Sequence, residues 1–337
     1  MQMEGGSGID SFFFRGLHPL ISIGTASDRY AGWLGQIYSE GRYEGRISSR
    51  KKKFGSAYYT EKVLPVESVE EYFEHFKVLE LDFTFYSPLL DMDGNPTRTW
   101  HVLNSYAGHM REGNRVILKV PQAVFARSFR RGKGQVENEH YLDSEMFIRQ
   151  FYEPACLLFD RRIEAFVFEQ EYQRASLRPL PEAFARELGR FFEKIPQDNR
   201  YHVEIRTQAL LSAPVVKTLK DHGIGYVLSH WTWLPSLKSQ YRLMGDVLFN
   251  RSGSSVMRLM TPRGMRYEDA YKKAHPFDRL VHGMLSSEMI NETVDIMKDA
   301  FENNAGINVV INNRSGGNAP LIAREIASRF LDITGAA

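Results

Sequence analysis

The chain has 337 residues, 43% of them hydrophobic and 25% charged, so its composition is that of a folded globular protein and excludes a largely disordered or fibrous one. Lysine and arginine together number 43 against 41 aspartate and glutamate residues, and this net charge of +2 excludes a uniformly basic nucleic-acid coat. Any basic surface must therefore be local.

In chain order, residues 1–18 begin acidic and glycine-rich and predict a flexible tail, followed by one domain over residues 19–337. Short β-branched or aromatic runs then alternate with longer segments of helical apolar spacing. The predicted strands are 20–26, 78–86, 115–121, 163–170, 201–207, 225–230, 255–260 and 307–313. The clearest predicted helices are 66–76, 137–159, 181–195, 214–222, 284–303 and 319–333, with weaker signals after the second and sixth strands.

Strict alternation of eight such units predicts an α/β fold of the (β/α)8 TIM-barrel type, because eight parallel strands at the usual tilt close on themselves. Two connections are long: residues 27–65, with a basic insertion at about 38–65, and residues 127–135. Both follow strands, so they would lie at the C-terminal face of the barrel, where active sites form. The sequence thus predicts a single domain with long βα loops.

Alternation along the strands also predicts which side chains point into the barrel, since the apolar positions must pack on the helices. The polar positions between them include Glu80, Asp82, Lys119, Glu204, Arg206, Arg258 and Asn312. Isolated buried charges are costly, so these residues form either a paired network that only stabilises the barrel or a wet site that faces a ligand. The sequence leaves both interpretations open.

The second interpretation predicts an enzyme that acts on a small anionic or polyhydroxy molecule by acid/base chemistry of the hydrolase, lyase or isomerase type. Glu80 and Glu204 are the candidate acid and base, because burial near other acids raises a carboxyl pKa toward neutrality. Lys119 is the candidate nucleophile or charge stabiliser. The predicted substrate-binding residues are Thr25, Asp82, Tyr86, Glu169, Arg206, His230, Arg258, Asn312 and Asn313.

A glycine-rich turn after the last strand, with Gly316, Gly317 and Asn318, offers a candidate anion-binding loop at the start of a helix. The same residues also fit an ordinary turn in which Asn318 caps the helix and Pro320 lies in its first turn.

Metal and cofactor motifs are weak. The sequence has no H-x-H, no H-E-x-x-H and no pair of cysteines at ligand spacing, so we expect no metal or other cofactor. A hard cation held by Glu80, Asp82 and Glu169 is the remaining alternative.

Two basic clusters support a competing hypothesis of nucleic-acid binding or processing, because aromatic residues are interleaved with them and both would border the barrel mouth. In loops such charge runs are also common as simply solvated surface. The candidate contacts are Arg50, Lys51, Lys52, Lys53, Arg130 and Arg131.

The single cysteine, Cys156, has no partner for an intramolecular disulfide, which favours a reducing compartment. No apolar run reaches the roughly 18 residues that a membrane span requires. We expect a soluble cytoplasmic protein without a membrane interaction.

Several motifs resemble those of the YecE-like family, known as domain of unknown function family 72. The run L-E-L-D-F-T-F-Y at 79–86 is similar to its V-E-x-N-x-T-F-Y segment, and Y-H-V-E-I-R at 201–206 is similar to Y-x-V-E-x-R. Further matches are I-G-T at 23–25, the K-V-P turn at 119–121, and I-N-N with G-N-A-P at 311–320. The matches extend from residue 21 to about 333, and the resemblance implies a TIM-type barrel without an established activity.

The chain also departs from this family pattern, which identifies it as a divergent member. It has A-S-D-R-Y at 26–30 where the family usually has S-G-W-S-Y, and Glu169 or Gln170 where strand four usually carries a glutamine. Met260 stands where the family's R-x-H-G has its histidine. If that histidine is catalytic in relatives, this chain is a non-catalytic small-ligand binder, which is a third hypothesis.

Overall fold

The computed structural model describes residues 12–54, 57–131 and 134–335. The strands of this part of the chain, in order, are β1 (Ile21–Ala26), β2 (Ser48–Phe54), β3 (Ala57–Val63), β4 (Val78–Leu81), β5 (Arg115–Lys119), β6 (Ser128–Arg131), β7 (Gly134–Glu137), β8 (Ile163–Gln170), β9 (Tyr201–Ile205), β10 (Gly225–Tyr226), β11 (Leu228–His230), β12 (Ser254–Leu259) and β13 (Gly306–Ile311).

Nine of these strands form one sheet in the order β10-β9-β8-β5-β4-β1-β13-β12-β11, and all of its pairings are parallel. Only Val227 separates β10 from β11, and its N–H donates to the carbonyl of Val203 at 2.9 Å. The two ends of the sheet are therefore one stretch of chain, and the sheet curves into a nearly closed barrel. This confirms the predicted TIM-type barrel.

The helices surround this barrel. They are α1 (Val69–His75), α2 (Arg98–His109), α3 (Gln122–Phe125), α4 (Ser144–Phe147), α5 (Glu153–Phe159), α6 (Pro181–Lys194), α7 (Ala213–His222), α8 (Leu237–Leu243), α9 (Tyr267–Ala274), α10 (Ser287–Glu302) and α11 (Ala319–Thr334), with a π-helical turn at Ile148–Tyr152 between α4 and α5. Every helix of the described chain is too short or too polar to cross a bilayer.

Helix α6 illustrates how these helices cover the sheet. Its buried residues Phe184, Leu188, Phe191 and Phe192 recur at helical spacing and form one apolar face. The rings of Phe191 and Phe192 lie 5.8 and 5.5 Å from that of Phe168 on β8, at steep angles that aromatic rings favour. The outward-facing apolar positions of the strand thus fix the helix on the barrel.

Inside the barrel, an aliphatic layer lies beneath the polar one. Because inward positions recur every second residue, Val78, Ile117, Val167 and Val256 precede Glu80, Lys119, Glu169 and Arg258 on their strands. The aliphatic residues therefore fill the part of the barrel nearer its N-terminal face. The apolar cluster inside the barrel consists of Ala26, Val78, Ile117, Ala165, Val167, Val227, Val256, Met260 and Val310.

Gly24 allows β1 to approach β4 closely. A Cβ atom at this position would lie 2.0 Å from the carbonyl oxygen of Val78, so no other residue fits here without moving the strand.

Several elements differ from the prediction. The second predicted strand ends at Leu81, because Asp82–Tyr86 turn into a 3-10 helix. Antiparallel hairpins, β2–β3 and β6–β7, form much of the two predicted long loops, and the helix predicted from residue 137 begins at Ser144. In the predicted tail, residues 1–11 lie outside the described residues, but Phe14 is only 1% exposed and packs on the ring of Phe76.

Candidate functional site

Arg258 lies at the centre of a buried cluster of charges inside the barrel. Its Nε and Nη2 atoms donate to the two oxygens of Glu80 at 2.7 and 2.6 Å. Its Nη1 atom donates to Glu204 and, at 3.4 Å, to Glu169. One guanidinium on β12 therefore joins carboxylates from β4, β8 and β9, as its planar set of donors permits.

Two further cations complete this cluster. Arg206 binds Glu169 at 2.7 Å and Glu204 at 3.4 Å, and Lys119 forms an ion pair with Glu169. The hydroxyl of Ser229 donates to Glu204 at 2.6 Å. We call this set the ion-pair network; its charged members are Glu80, Glu169, Glu204, Lys119, Arg206 and Arg258.

The neighbours of each carboxyl group set its affinity for protons. Burial raises the pKa of Glu80, although Arg258 and Lys119 oppose this shift. Burial would also raise the pKa of Glu204, but Arg206, Arg258 and Lys119 outweigh it and lower this pKa to about 2. Glu204 therefore stays ionised near neutral pH, whereas Glu80 is the more readily protonated of the two.

Aromatic rings cover the network where it meets the barrel mouth. The Lys119 Nζ atom lies 4.0 Å from the ring centre of Phe85, and the Arg206 guanidinium lies 4.2 Å from that of Trp231. The side chains of Lys119 and Arg206 are 7% and 12% exposed, whereas those of Glu80 and Glu204 are fully buried. Within the ion-pair network, the side chains nearest the solvent are therefore Lys119, Arg206 and Glu169.

A cavity of about 620 Å³ lies beside the network, at the C-terminal ends of β1 and β4. Asp82 and Tyr86, two of the predicted substrate-binding residues, line it. Asp82 accepts a hydrogen bond from Ser27 at 2.7 Å, and its side chain faces this cavity. The third carboxylate of the network is therefore Glu169, not Asp82. The cavity is lined by five cationic side chains, Arg29, Arg50, Lys52, Arg98 and Arg314.

Asp28 also lines this cavity and was missed in the sequence. It is 2% exposed, and its Oδ1 atom accepts a hydrogen bond from the hydroxyl of Tyr106 at 2.7 Å. Its Oδ2 atom has no hydrogen-bond partner within the described residues. Burial raises the pKa of Asp28 to about 6, against the opposing effects of Arg29 and Tyr106. The sequence signal that could have identified Asp28 is its position just after the first strand, in the A-S-D-R-Y run at 26–30 that departs from the family pattern.

The hairpin β2–β3 forms a wall of this cavity. Because side chains of a strand alternate between its faces, Arg50 and Lys52 line the cavity whereas Lys51 and Lys53 are exposed. Lys52 is also bound to Glu61 on the opposite strand, at 2.9 Å. The alternation therefore divides the basic insertion between the cavity and the outer surface. The side chains of Arg130 and Arg131, in the second hairpin, lie outside the described residues.

Four predicted substrate-binding residues lie in other surroundings. The hydroxyl of Thr25 donates to the carbonyl of Ser27 at 2.7 Å, and Asn313 accepts from Trp33 at 3.1 Å, so both stabilise local structure. Asn312 caps the following turn, and its Nδ2 atom is buried without a partner in the described chain. Burial lowers the pKa of His230 to about 4, so its ring is neutral near pH 7.

Other parts of the protein pack against the predicted anion-binding loop. Gly316, Gly317 and Asn318 are buried, and a Cβ atom on Gly317 would lie 2.3 Å from the carbonyl oxygen of Arg279. Asn318 donates to the carbonyl of Phe277 and accepts from the N–H of Leu321, as a helix cap does. The ordinary turn, the second interpretation of this sequence, is therefore the one present.

The carboxylates considered for a hard cation have other partners in the structure. Glu80 and Glu169 bind Arg258 and Lys119, whereas Asp82 faces the neighbouring cavity. Among the described residues, no group of three or more histidine, cysteine, aspartate or glutamate side chains is arranged to hold a metal ion.

Comparison with known proteins gives a family and a fold. The sequence pattern of the family described as protein of unknown function DUF72 matches residues 22–334. The crystal structure of a DUF72 family protein from Enterococcus faecalis is similar, with a TM-score of 0.56 and 15% identity over 92% of this chain and 95% of that chain. A DUF72 family protein from Thermotoga maritima has a TM-score of 0.55 and 16% identity over 93% and 99%. No curated protein matches this sequence.

Proposed function

Because the chain belongs to the DUF72 family, whose function is unknown, we propose from its own site that it is an enzyme acting on a small anionic or polyhydroxy molecule by acid/base chemistry. The observation that carries this proposal is the cavity of about 620 Å³ with its five cationic side chains. Such a pocket at the C-terminal face of a TIM-type barrel is the usual position of an active site.

The donors of the cavity favour an oxygen-rich anion. The Arg314 guanidinium lies 4.1 Å from the ring centre of Tyr267, and its Nε atom is buried without a partner in the described chain. A buried donor without an acceptor costs free energy that a bound carboxylate or phosphate would recover. The hydroxyl groups of Tyr30 and Tyr106 could bind the hydroxyls of a polyhydroxy molecule.

We assign different roles within the ion-pair network. Glu80, whose pKa is raised, remains a candidate for proton transfer, and Lys119 at the rim remains a candidate to stabilise negative charge. Glu204 was also a candidate acid or base, but its pKa of about 2 favours a lasting carboxylate that orients Arg206 and Arg258. Glu80 on β4 is in the network, and Asp82, just after the end of β4, lines the cavity, so the two sites meet at the end of this strand.

We expect sulfate to raise the melting temperature of the protein, because a ligand that binds only the folded state stabilises it. Arg314→Met should weaken sulfate binding at least about tenfold, as expected for the loss of a charged hydrogen bond. Arg329→Met, which removes an exposed cation paired with Glu325, is the matched control and should bind sulfate like the wild type. Equal affinities of the wild type and Arg314→Met would contradict an anion site in this cavity.

Catalysis requires a second measurement, since binding alone fits a non-catalytic ligand binder. Carboxylated and phosphorylated sugars that stabilise the protein are incubated with it, and their conversion is followed by NMR. Conversion that is lost in Lys119→Met would support the enzyme. Binding without conversion would favour the binder, in agreement with Met260 at the position of the family histidine.

Nucleic-acid binding is the alternative, and the exposed side chains of Lys51 and Lys53 favour it. If this surface contacts phosphates, Lys51→Gln with Lys53→Gln should reduce affinity for a single-stranded oligonucleotide and make the salt dependence of binding less steep by about 2 in logarithmic slope. Sulfate binding in the cavity should be unchanged by this pair of substitutions. Oligonucleotide binding that is absent, or unaltered by both substitutions, would exclude this surface.

A further inference from the structure

Asp28 differs from the two other carboxylates that line the cavity. Glu61 is bound to Lys52 at 2.9 Å, and Asp82 accepts a hydrogen bond from Ser27 at 2.7 Å. Asp28 is the most deeply buried of the three, and its Oδ2 atom has no hydrogen-bond partner in the described part of the chain. A buried carboxyl oxygen without a partner costs free energy, and because Asp28 lines the cavity, a molecule bound there can supply that partner.

Burial, rather than any neighbouring group, favours the neutral, protonated form of Asp28. The hydroxyl of Tyr106 on α2 donates to its Oδ1 atom, and that of Tyr38 donates to its backbone carbonyl at 2.8 Å. Tyr72 on α1 is also nearby, and burial raises the pKa of all three tyrosines, so they remain uncharged near neutral pH. Arg29 is the adjacent cation, and it only partly offsets the burial that raises the pKa of Asp28 to about 6.

From this geometry we propose that Asp28 is the proton donor of the cavity, taking up a proton when an anion binds and transferring it to an acceptor oxygen of the bound molecule. This inference rests on the proposed function, and it narrows the substrate to an anion with a basic oxygen, such as a carboxylate or a phosphate ester. In the transfer the O–H bond at Oδ2 breaks and an O–H bond forms on the substrate. The carboxylate that remains is stabilised by the Tyr106 hydroxyl and by Arg29.

The test counts protons with sulfate, an anion that keeps its charge from pH 5 to 8. Sulfate binding is measured by calorimetry near pH 7 in two buffers of different ionisation enthalpy, which gives the protons taken up per bound ion. The wild type is expected to take up as much as about one proton per sulfate, because the anion favours protonated Asp28. Asp28→Asn should still bind sulfate but take up none.

Two variants separate Asp28 from its neighbours. Asp82→Asn removes another carboxylate that lines the cavity; whatever its effect on sulfate affinity, the number of protons taken up per bound sulfate should remain that of the wild type. Tyr106→Phe removes the hydrogen bond that lowers the pKa of Asp28, so the pH of half-maximal uptake should rise. An unchanged proton count in Asp28→Asn, or a loss of uptake in Asp82→Asn alone, would overturn the assignment.

Failure of the proposed function has a different signature. If sulfate does not bind the wild type at any pH between 5 and 8, the anion site itself is wrong. The carboxyl resonance of Asp28, followed by carbon NMR in the ligand-free protein, then tests the residue independently. A transition near pH 6 would support a carboxyl group prepared for proton transfer, whereas an ordinary value near 4 would refute it.

Discussion

Arg258→Met is expected to lower the free energy of unfolding by about 3–5 kcal/mol, because it leaves charges buried without their counter-ion. Both oxygens of Glu80 bind this guanidinium, and Glu204 and Glu169 share its Nη1 atom. The side chain of Glu80 is fully buried, so in this variant it must either stay ionised without its main partner or take up a proton. Urea unfolding at pH 7 measures the loss.

Companion variants establish that the charge, rather than the volume, is responsible. Glu80→Gln combined with Arg258→Met removes a carboxylate together with its cation and should recover part of the lost stability. Arg329→Met, at an exposed pair, should change stability by less than about 0.5 kcal/mol. If Arg258→Met unfolded at nearly the wild-type urea concentration, solvent would have to reach Glu80, and the network would be an open binding site.

Asp28→Asn is expected to stabilise the protein by about 2–3 kcal/mol at pH 8, since it removes a carboxylate whose ionised form the folded state disfavours. The pKa of Asp28 is about 6 in the folded protein, above its ordinary value near 4. The folded state therefore holds this proton more tightly than the unfolded chain. The contribution of Asp28 to the stability of the wild type is therefore fully present below about pH 4 and is lost as the pH rises through 6.

The gain from Asp28→Asn should accordingly depend on pH, and about half of it should remain at pH 5. Parallel urea unfolding of the wild type and the variant at pH 5, 6, 7 and 8 measures this dependence. Asp82→Asn, in the same cavity, is the control and should not show the same rise between pH 5 and 8. A gain that is constant over this range would mean that Asp28 is not protonated near pH 6. A stability gain together with lost proton uptake would indicate that Asp28 is retained for function.

The sequence by itself determined the barrel and most of its polar interior. Period-two alternation on strands that must pack against helices directs Glu80, Lys119, Glu204, Arg206 and Arg258 inward, and closure of the sheet brings them together. Both effects depend on local patterns and on the number of strands. The resemblance to family 72, read from motifs spread along the chain, agreed with this fold and with the family match.

Other features were decided by tertiary contacts. Asp82 lies outside the network because β4 ends at Leu81. In the turn that follows, the hydroxyl of Thr84 donates to the carbonyl of Lys119. The predicted anion loop is closed because Phe277 and Arg279, distant in sequence, lie against it.

Asp28 became a candidate only because Tyr106 and the cavity surround it. Burial, and the pKa shift that it causes, depend on neighbours that folding brings from other parts of the chain, and no local pattern records them.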